Sequence, residues 1–231
     1  MLIRYYLVKN YFIMKKTLSY LFQYLFLRPI LRFIIGVRYK NKAVLSQKKQ
    51  FIIVANHNSH LDALSIRAAL PKHQLNNTFT VAANDYFGKN RMVAKLLKIC
   101  LNILLIKRKR IAKEPSAIEK LDGLVKQGQS LILFPEGSRG QPGILSNFKK
   151  GIAILLKRNP NLFFIPTYLN GFGRVLPKNS RLLLPLVSKV HFGQPIQVQS
   201  DNIEVILEKV KTAILNLKPA AEGNLNQFAT S

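Results

Sequence analysis

The stretch FIIVANHNSHLDALSIRAAL, residues 51–70, reads as a strand turning directly into a helix. Phe51 to Ala55 form an unbroken apolar run rich in β-branched side chains, the pattern of a buried strand. His60 to Leu70 read as the helix. The polar residues between them include His57, and Asp62 is the first acidic residue of the chain. On an ideal helix, residues five apart point about 140° away from each other, so His57 and Asp62 could not pair if both were helical. With His57 in the loop and the helix starting near Ser59, Asp62 in the first turn can reach back to the imidazole. A carboxylate so placed fixes the ring tautomer and raises the basicity of the other nitrogen, as a general base for a hydroxyl requires. Ser59 and Asp62 also spell S-x-x-D, a capping box that accounts for both residues without any chemistry. Both readings stand at this point.

The same alternation continues downstream. Strands are expected at Thr78–Ala82, Ile103–Ile106, Ser130–Phe134, Leu162–Pro166 and Lys189–Phe192, and helices at Lys89–Ile99, Pro115–Gln127, Phe148–Lys157 and Asn202–Leu217. The last helix carries Ile203, Ile206, Leu207, Val210, Ile214 and Leu217 on one face, with Asp201 and Glu204 spaced as a capping box. Strands alternating with helices predict an α/β domain over 51–218, a mainly parallel sheet flanked by helices. Sites in such sheets collect beyond the carboxyl ends of the strands. Residues 219–231 read as a disordered tail.

Residues 1–50 differ in composition, with 11 Lys and Arg, no acid and many aromatics. Their most apolar part, Thr17 to Val37, is interrupted by Arg28, Pro29 and Arg32, whereas a spanning helix needs about 20 predominantly apolar residues. The expectation is two short helical pieces split at Pro29 and lying in a membrane interface, rings at headgroup level and cations on phosphates. A helical hairpin packed on its own domain is the plainer alternative. No small-residue cleavage site follows an apolar core, so a cleaved signal peptide is not expected.

A net charge of +26 over 231 residues calls for polyanionic neighbours, nucleic acid or an anionic bilayer. Nucleic-acid binding would need aromatics on an exposed sheet face or a helix-turn-helix signature, and neither is evident. Cys100 stands alone, and His57, His60, His73 and His191 form no HExxH, so neither a disulfide nor a recognisable metal motif is expected. A reducing, cytoplasm-facing location follows.

Two further strands end in polar groups. LILFPEGSRG, residues 131–140, runs into a turn presenting the Glu136 carboxylate, the amides of Gly137 and Ser138, and the Arg139 guanidinium. LNILLIKRKR, residues 101–110, ends in Lys107 and Arg108. Arginine grips phosphate through paired, charge-assisted hydrogen bonds, although the cluster from Lys107 to Arg110 also reads as a solvated basic patch.

With these residues assembled, the chain resembles the glycerolipid acyltransferases typified by 1-acylglycerol-3-phosphate acyltransferase. His57 and Asp62 match H-x4-D, FPEGSRG matches F-P-E-G-[ST]-R, LLIKR is similar to the family's apolar strand ending in Arg, and FFIPTYLNG resembles its later apolar-Pro block. FKKG, residues 148–151, and FGQPI, residues 192–196, resemble further family elements. The resemblance implies transfer of a fatty acyl group from acyl-CoA or acyl-carrier protein, as co-substrate and without a cofactor, to a lysophospholipid hydroxyl. His57 would be the base and Asp62 its orienting partner. Arg108, Glu136, Gly137, Ser138, Arg139 and Lys149 would serve the acceptor, and Pro166 would shape the site. The amides of 136–139 are expected to supply part of an oxyanion site. Asn102 and Lys107 depart from the family's usual Gly and Asp, which leaves the acceptor headgroup open to another lysolipid. Expected partners are membrane lipids, preferably anionic, and the acyl donor, at the cytoplasmic face of a membrane.

Overall fold

The computed structural model describes residues 2–83, 100–106, 115–140, 145–172 and 188–219. Expectations for the helix Lys89–Ile99, for Lys107–Arg110 and for residues 220–231 lie outside them. The described strands are β1 Val37–Lys40, β2 Phe51–Ala55, β3 Thr78–Ala83, β4 Ile103–Ile106, β5 Ser130–Leu133, β6 Phe163–Asn170, β7 Ser188–Phe192 and β8 Ile196–Gln197. The helices are α1 Leu2–Leu21, α2 Leu61–Ala69, α3 Ala117–Lys126, α4 Gly151–Arg158 and α5 Ile203–Leu215.

The strands form one sheet in the order β1-β7-β6-β2-β5-β3-β4, with β8 pairing β6. From β6 to β4 every pairing is parallel, and β7 runs antiparallel to β6. Strand β2 is buried throughout because both of its faces are used. Phe51, Ile53 and Ala55 enter a core with Leu61 and Ile66 of α2, while Ile52 and Val54 enter a second core with Leu121, Ile152, Ile206 and Val210 from α3, α4 and α5. Burying one such side chain contributes about 1.5–3 kcal/mol, so an unbroken apolar run is stable only as the middle of three layers. The expected mainly parallel sheet between helices is the observed fold. Because β2 and β5 pair in parallel, with Val54 opposite Leu133, the two strands end side by side and their following loops emerge together.

Four expectations are corrected. Strand β6 continues through Pro166 to Asn170. The proline falls where the partner of β6 changes from β8, at Phe163 and Phe164, to β7, from Thr167 onward, so its missing N–H leaves no gap in a ladder. The cap of α5 is Asn202, whose side chain accepts from the amides of Glu204 and Val205, rather than a box made by Asp201.

The N-terminal segment does not break into two pieces at Pro29, which itself has helical angles, φ −59° and ψ −46°. The α-helix widens into π-helical turns at Phe22–Leu27 and Ile30–Ile34, on either side of the ring. A wide turn relieves the clash of proline with the carbonyl four residues earlier. It also keeps Ser19, Gln23, Leu27, Leu31 and Ile35, all buried, on one line. On an ideal α-helix that four-residue repeat would drift by about 40° at each step. Finally, residues 37–50 belong to the sheet domain and not to a helical appendage, since β1 pairs β7 and Val44 and Leu45 are core residues.

Candidate active site

Where β2 ends, Asn56 takes over the role of a strand backbone. Its side-chain amide donates to the Leu169 carbonyl at 3.0 Å and its carbonyl accepts from the Leu169 amide at 2.7 Å. This satisfies the end of β6 while the main chain turns out of the sheet at His57. The two sides of His57's own backbone are tied to the loop after β5. Its N–H donates to Glu136 Oε1 at 2.8 Å, and its carbonyl accepts from the Gly140 amide at 2.9 Å.

Asp62, in the first turn of α2, is fully buried. Its Oδ2 accepts from the amides of Asn58 at 2.6 Å and Ser59 at 2.7 Å, and lies 2.9 Å from His57 Nδ1. Loop closure and histidine orientation are thus functions of one oxygen, whereas the helix begins after His60 with no side-chain cap hydrogen bond, so the S-x-x-D capping box does not form. The Ser59 hydroxyl accepts from the Leu61 amide at 3.3 Å and is not the partner a capping box would give Asp62. With the carboxylate on Nδ1, that nitrogen carries the proton and Nε2 keeps its lone pair. The Phe134 ring stacks on the imidazole, centroids 4.2 Å apart, and limits its rotation.

Glu136 is 3% exposed, and its second oxygen accepts from the Ser146 amide at 3.0 Å. Both oxygens therefore face inward, one on the loop after β2 and the other on a later part of Glu136's own loop, where sequence reading expected a contact with the acceptor. Gly137 turns the chain at φ +72°, and its N–H donates to the Phe134 carbonyl at 3.1 Å. That amide closes the turn rather than standing open for an oxyanion. Ser138 is exposed, and the exposed Lys149 lays its side chain along Gly137 while its amide donates to Pro135. Arg139 is half-buried, with Nη1 2.6 and 2.8 Å from the ring nitrogens of His60.

The structure brings together His57, Asp62, Glu136, Gly137, Ser138, Arg139 and Lys149 in neighbouring loops. Pro166 is not among them. Its ring packs on Gly193 and, with Val205 of α5 and Leu217 just beyond that helix, lines a groove of about 640 Å³. Arg108 lies outside the described residues. Strand β4, which leads to it, is three strands from β2, about 14 Å at ordinary strand spacing. Sequence reading missed Asn56 and Phe134 as positioning residues, although a polar residue directly after a buried strand is the signal for the first. Among the described residues no group of three or more His, Cys, Asp or Glu side chains is placed to hold a metal ion.

An α/β sandwich carrying a histidine–carboxylate pair at the carboxyl edge of its central strands has the arrangement with which a proton can be taken from a hydroxyl. A family model described as Acyltransferase matches residues 36–169, more than half of the chain, and the chain belongs to that family. It is 30% identical over 135 residues to the "Probable 1-acyl-sn-glycerol-3-phosphate acyltransferase" of Mycoplasma genitalium, covering 58% of this chain and 49% of that one. To the 1-acyl-sn-glycerol-3-phosphate acyltransferase of Limnanthes douglasii it is 26% identical, over 77% of this chain and 61% of that one. The chain thus spans about half to three-fifths of the length of these curated relatives. The crystal structure of the 1-acyl-sn-glycerophosphate acyltransferase PlsC from Thermotoga maritima shares the fold, with a TM-score of 0.62 at 22% identity, covering 80% of this chain and 73% of that one.

Proposed function

We propose that this protein transfers a fatty acyl group from an acyl thioester to the free hydroxyl of a lysophospholipid, with 1-acylglycerol-3-phosphate as acceptor and phosphatidic acid as product. The observation that carries the reading is the His57 Nδ1 to Asp62 Oδ2 pair at 2.9 Å, set in a loop that Glu136 clamps from the loop after the neighbouring strand β5. Asp62 holds the Nδ1 proton, so Nε2 accepts the proton of the attacking hydroxyl. The hydroxyl oxygen adds to the thioester carbonyl, the C–S bond breaks, and the thiolate leaves as a thiol with the proton that His57 took up. General-base assistance is worth about 10² to 10⁴ in rate, and positioning of two substrates supplies much of the rest. Arg139, and Arg108 beyond β4, are the guanidiniums suited to the acceptor phosphate. Glu136 acts as a positioning residue.

The acceptor lies in a bilayer, and the N-terminal segment suits delivery of the site to one. Tyr6, Ile13, Met14, Leu18, Leu21, Leu25, Phe26, Phe33 and Ile34 are exposed on the side away from the buried line. No helix among the described residues is long and apolar enough to cross a membrane. Shallow insertion, with cations on anionic headgroups, fits this composition better than spanning. The lone Cys100 fits a reducing compartment and hence the cytoplasmic face. Acyl-CoA and acyl-carrier protein both meet the chemistry as donors.

The test is incubation of the purified protein, in vesicles, with labelled acyl donor and a panel of lysolipids. Label is expected in phosphatidic acid, and His57→Ala abolishes it without aggregation. Label confined to a lipid without a phosphomonoester, or transfer that survives His57→Ala, overturns the reading.

A further inference from the structure

The two faces of the sheet divide the surroundings of the site. Leu27, Leu31 and Ile35 of the N-terminal segment share a core with Leu61 and Ile66 of α2, so the apolar segment proposed to meet the bilayer lies on that face. Phe148 packs against the opposite core, with residues of α3, α4 and α5. Lys149, which follows it, stands at the start of this second layer, across the sheet from the N-terminal segment. Its backbone and its stem are both fixed to the loop after β5. The Lys149 amide donates to the Pro135 carbonyl at 2.8 Å, and its Cγ and Cε lie 3.5 and 3.7 Å from the place that a Cβ on Gly137 would occupy. The same loop grips His57, Glu136 accepting from its N–H and the Gly140 amide donating to its carbonyl.

The two lysines at this point differ. Lys150 is tied to Glu204 by an ion pair of 2.9 Å, whereas Lys149 is exposed and its Nζ has no hydrogen-bond or ion-pair partner among the described residues. An ammonium held by its stem at the rim of a site, in water and without a counter-charge, is a ready partner for a phosphate. Both thioester donors, acyl-CoA and acyl-carrier protein, present the acyl group on a phosphopantetheine arm, with the phosphate at the opposite end of that flexible arm from the thioester. Its anchor must therefore stand at the water-facing rim and not beside His57. The phosphate of the acceptor, by contrast, arrives with a lipid from the bilayer side. We propose that Lys149 holds the phosphate of the donor's phosphopantetheine, so that the donor approaches over the layer of α4 and α5, in place of the acceptor role that the sequence resemblance implied for this lysine.

This inference rests on the proposed thioester donor, and the experiment separates the two. Steady-state kinetics are measured with acyl-phosphopantetheine and with acyl-pantetheine, which differ only by the phosphate, for the wild type, Lys149→Gln, Lys149→Arg and Lys209→Gln. Lys149→Gln raises the KM for acyl-phosphopantetheine about tenfold, the loss expected for one charge-assisted hydrogen bond, and leaves the KM for acyl-pantetheine and for the acceptor near their wild-type values. Lys149→Arg keeps most of the affinity, because a guanidinium also pairs with phosphate. Lys209→Gln removes the same charge from α5 and leaves every KM near the wild type, which separates a local contact from the field of the +26 chain. The same variants are then run with acyl-CoA and with acyl-carrier protein, and the donor that the protein uses shows the Lys149→Gln effect. An equal rise with acyl-pantetheine makes Lys149 a support of its loop, and a rise in the acceptor KM returns it to the acceptor. Either result, or an equal effect of Lys209→Gln, overturns the proposal.

A second readout needs no turnover. Calorimetric titration with phosphopantetheine should show binding about tenfold weaker in Lys149→Gln than in the wild type, a difference that pantetheine does not show. Phosphopantetheine binding that is absent from the wild type, or unchanged in Lys149→Gln, overturns the proposal whatever the activity. Failure of every acyl thioester to support transfer overturns the proposed function, while the titration still reads the contact of Lys149 with the phosphate.

Discussion

One oxygen of Asp62 holds both the loop after β2 and the imidazole of His57. Its Oδ2 closes the loop through two amides and orients His57 through a third donor, so Asp62→Asn weakens both. Replacing the charged acceptor with a neutral one is expected to cost roughly 1.5–3 kcal/mol of stability. It should also lower kcat by about 10² or more, as loss of general-base action does. Thermal melts beside acyl-transfer assays check this, and an unchanged kcat in a destabilised variant would leave Asp62 as a loop anchor only. Gly193 makes a different point. A Cβ there would lie 2.7 Å from the Pro166 ring, so the FGQPI and FFIPTYLNG blocks are linked by a close packing contact rather than by the site. Gly193→Ala should therefore destabilise by about 1–3 kcal/mol through overpacking. Melting temperature is the measurement, and Pro166→Ala in the same chain should recover part of the loss.

At the level of elements, α1 and its π-helical continuation have two faces with separate duties. Leu27, Leu31 and Ile35 are core residues, and Arg28 Nη2 donates to the Leu70 carbonyl at 2.6 Å. Deleting residues 1–35 removes Leu27, Leu31 and Ile35, three buried apolar side chains worth about 1.5–3 kcal/mol each, and the truncated chain should melt lower or aggregate. Truncation is thus a poor probe of membrane binding. Leu25, Phe26, Phe33 and Ile34 are 58–78% exposed, and changing all four to Ser should leave the melting temperature near that of the wild type. The same change should reduce sedimentation with vesicles, and should lower activity on a bilayer-embedded acceptor far more than on a short-chain, soluble one. Equal loss on both acceptors would assign that face to the fold.

For the molecule as a whole, the +26 charge and the exposed apolar face would act on the proposed anionic bilayer by different physics. Attraction of cations to anionic lipid is worth about 1 kcal/mol per Lys or Arg near the surface and weakens as salt shortens the Debye length, whereas insertion of apolar side chains does not. Raising salt to about 1 M should release the protein from anionic vesicles only in part, and the four-Ser variant completely. Complete release of the wild type by salt alone would leave the segment as an electrostatic patch. The mainly parallel sheet, most of its strands and the pairing of His57 with Asp62 were legible in the sequence. Local patterning carries that information, because a doubly buried strand must be apolar throughout and a loop histidine five residues before a helical carboxylate can meet it within one turn. Contacts between segments far apart in the chain carry no such local mark. The clamp of Glu136 on the His57 amide, across 79 residues, the rest of Arg139 on His60, the passage of the N-terminal helix through Pro29 and the insertion of Val37–Lys40 into the sheet each depend on a distant partner. Packing chose them, because a buried donor, acceptor or apolar side chain is satisfied by whichever neighbour the fold supplies.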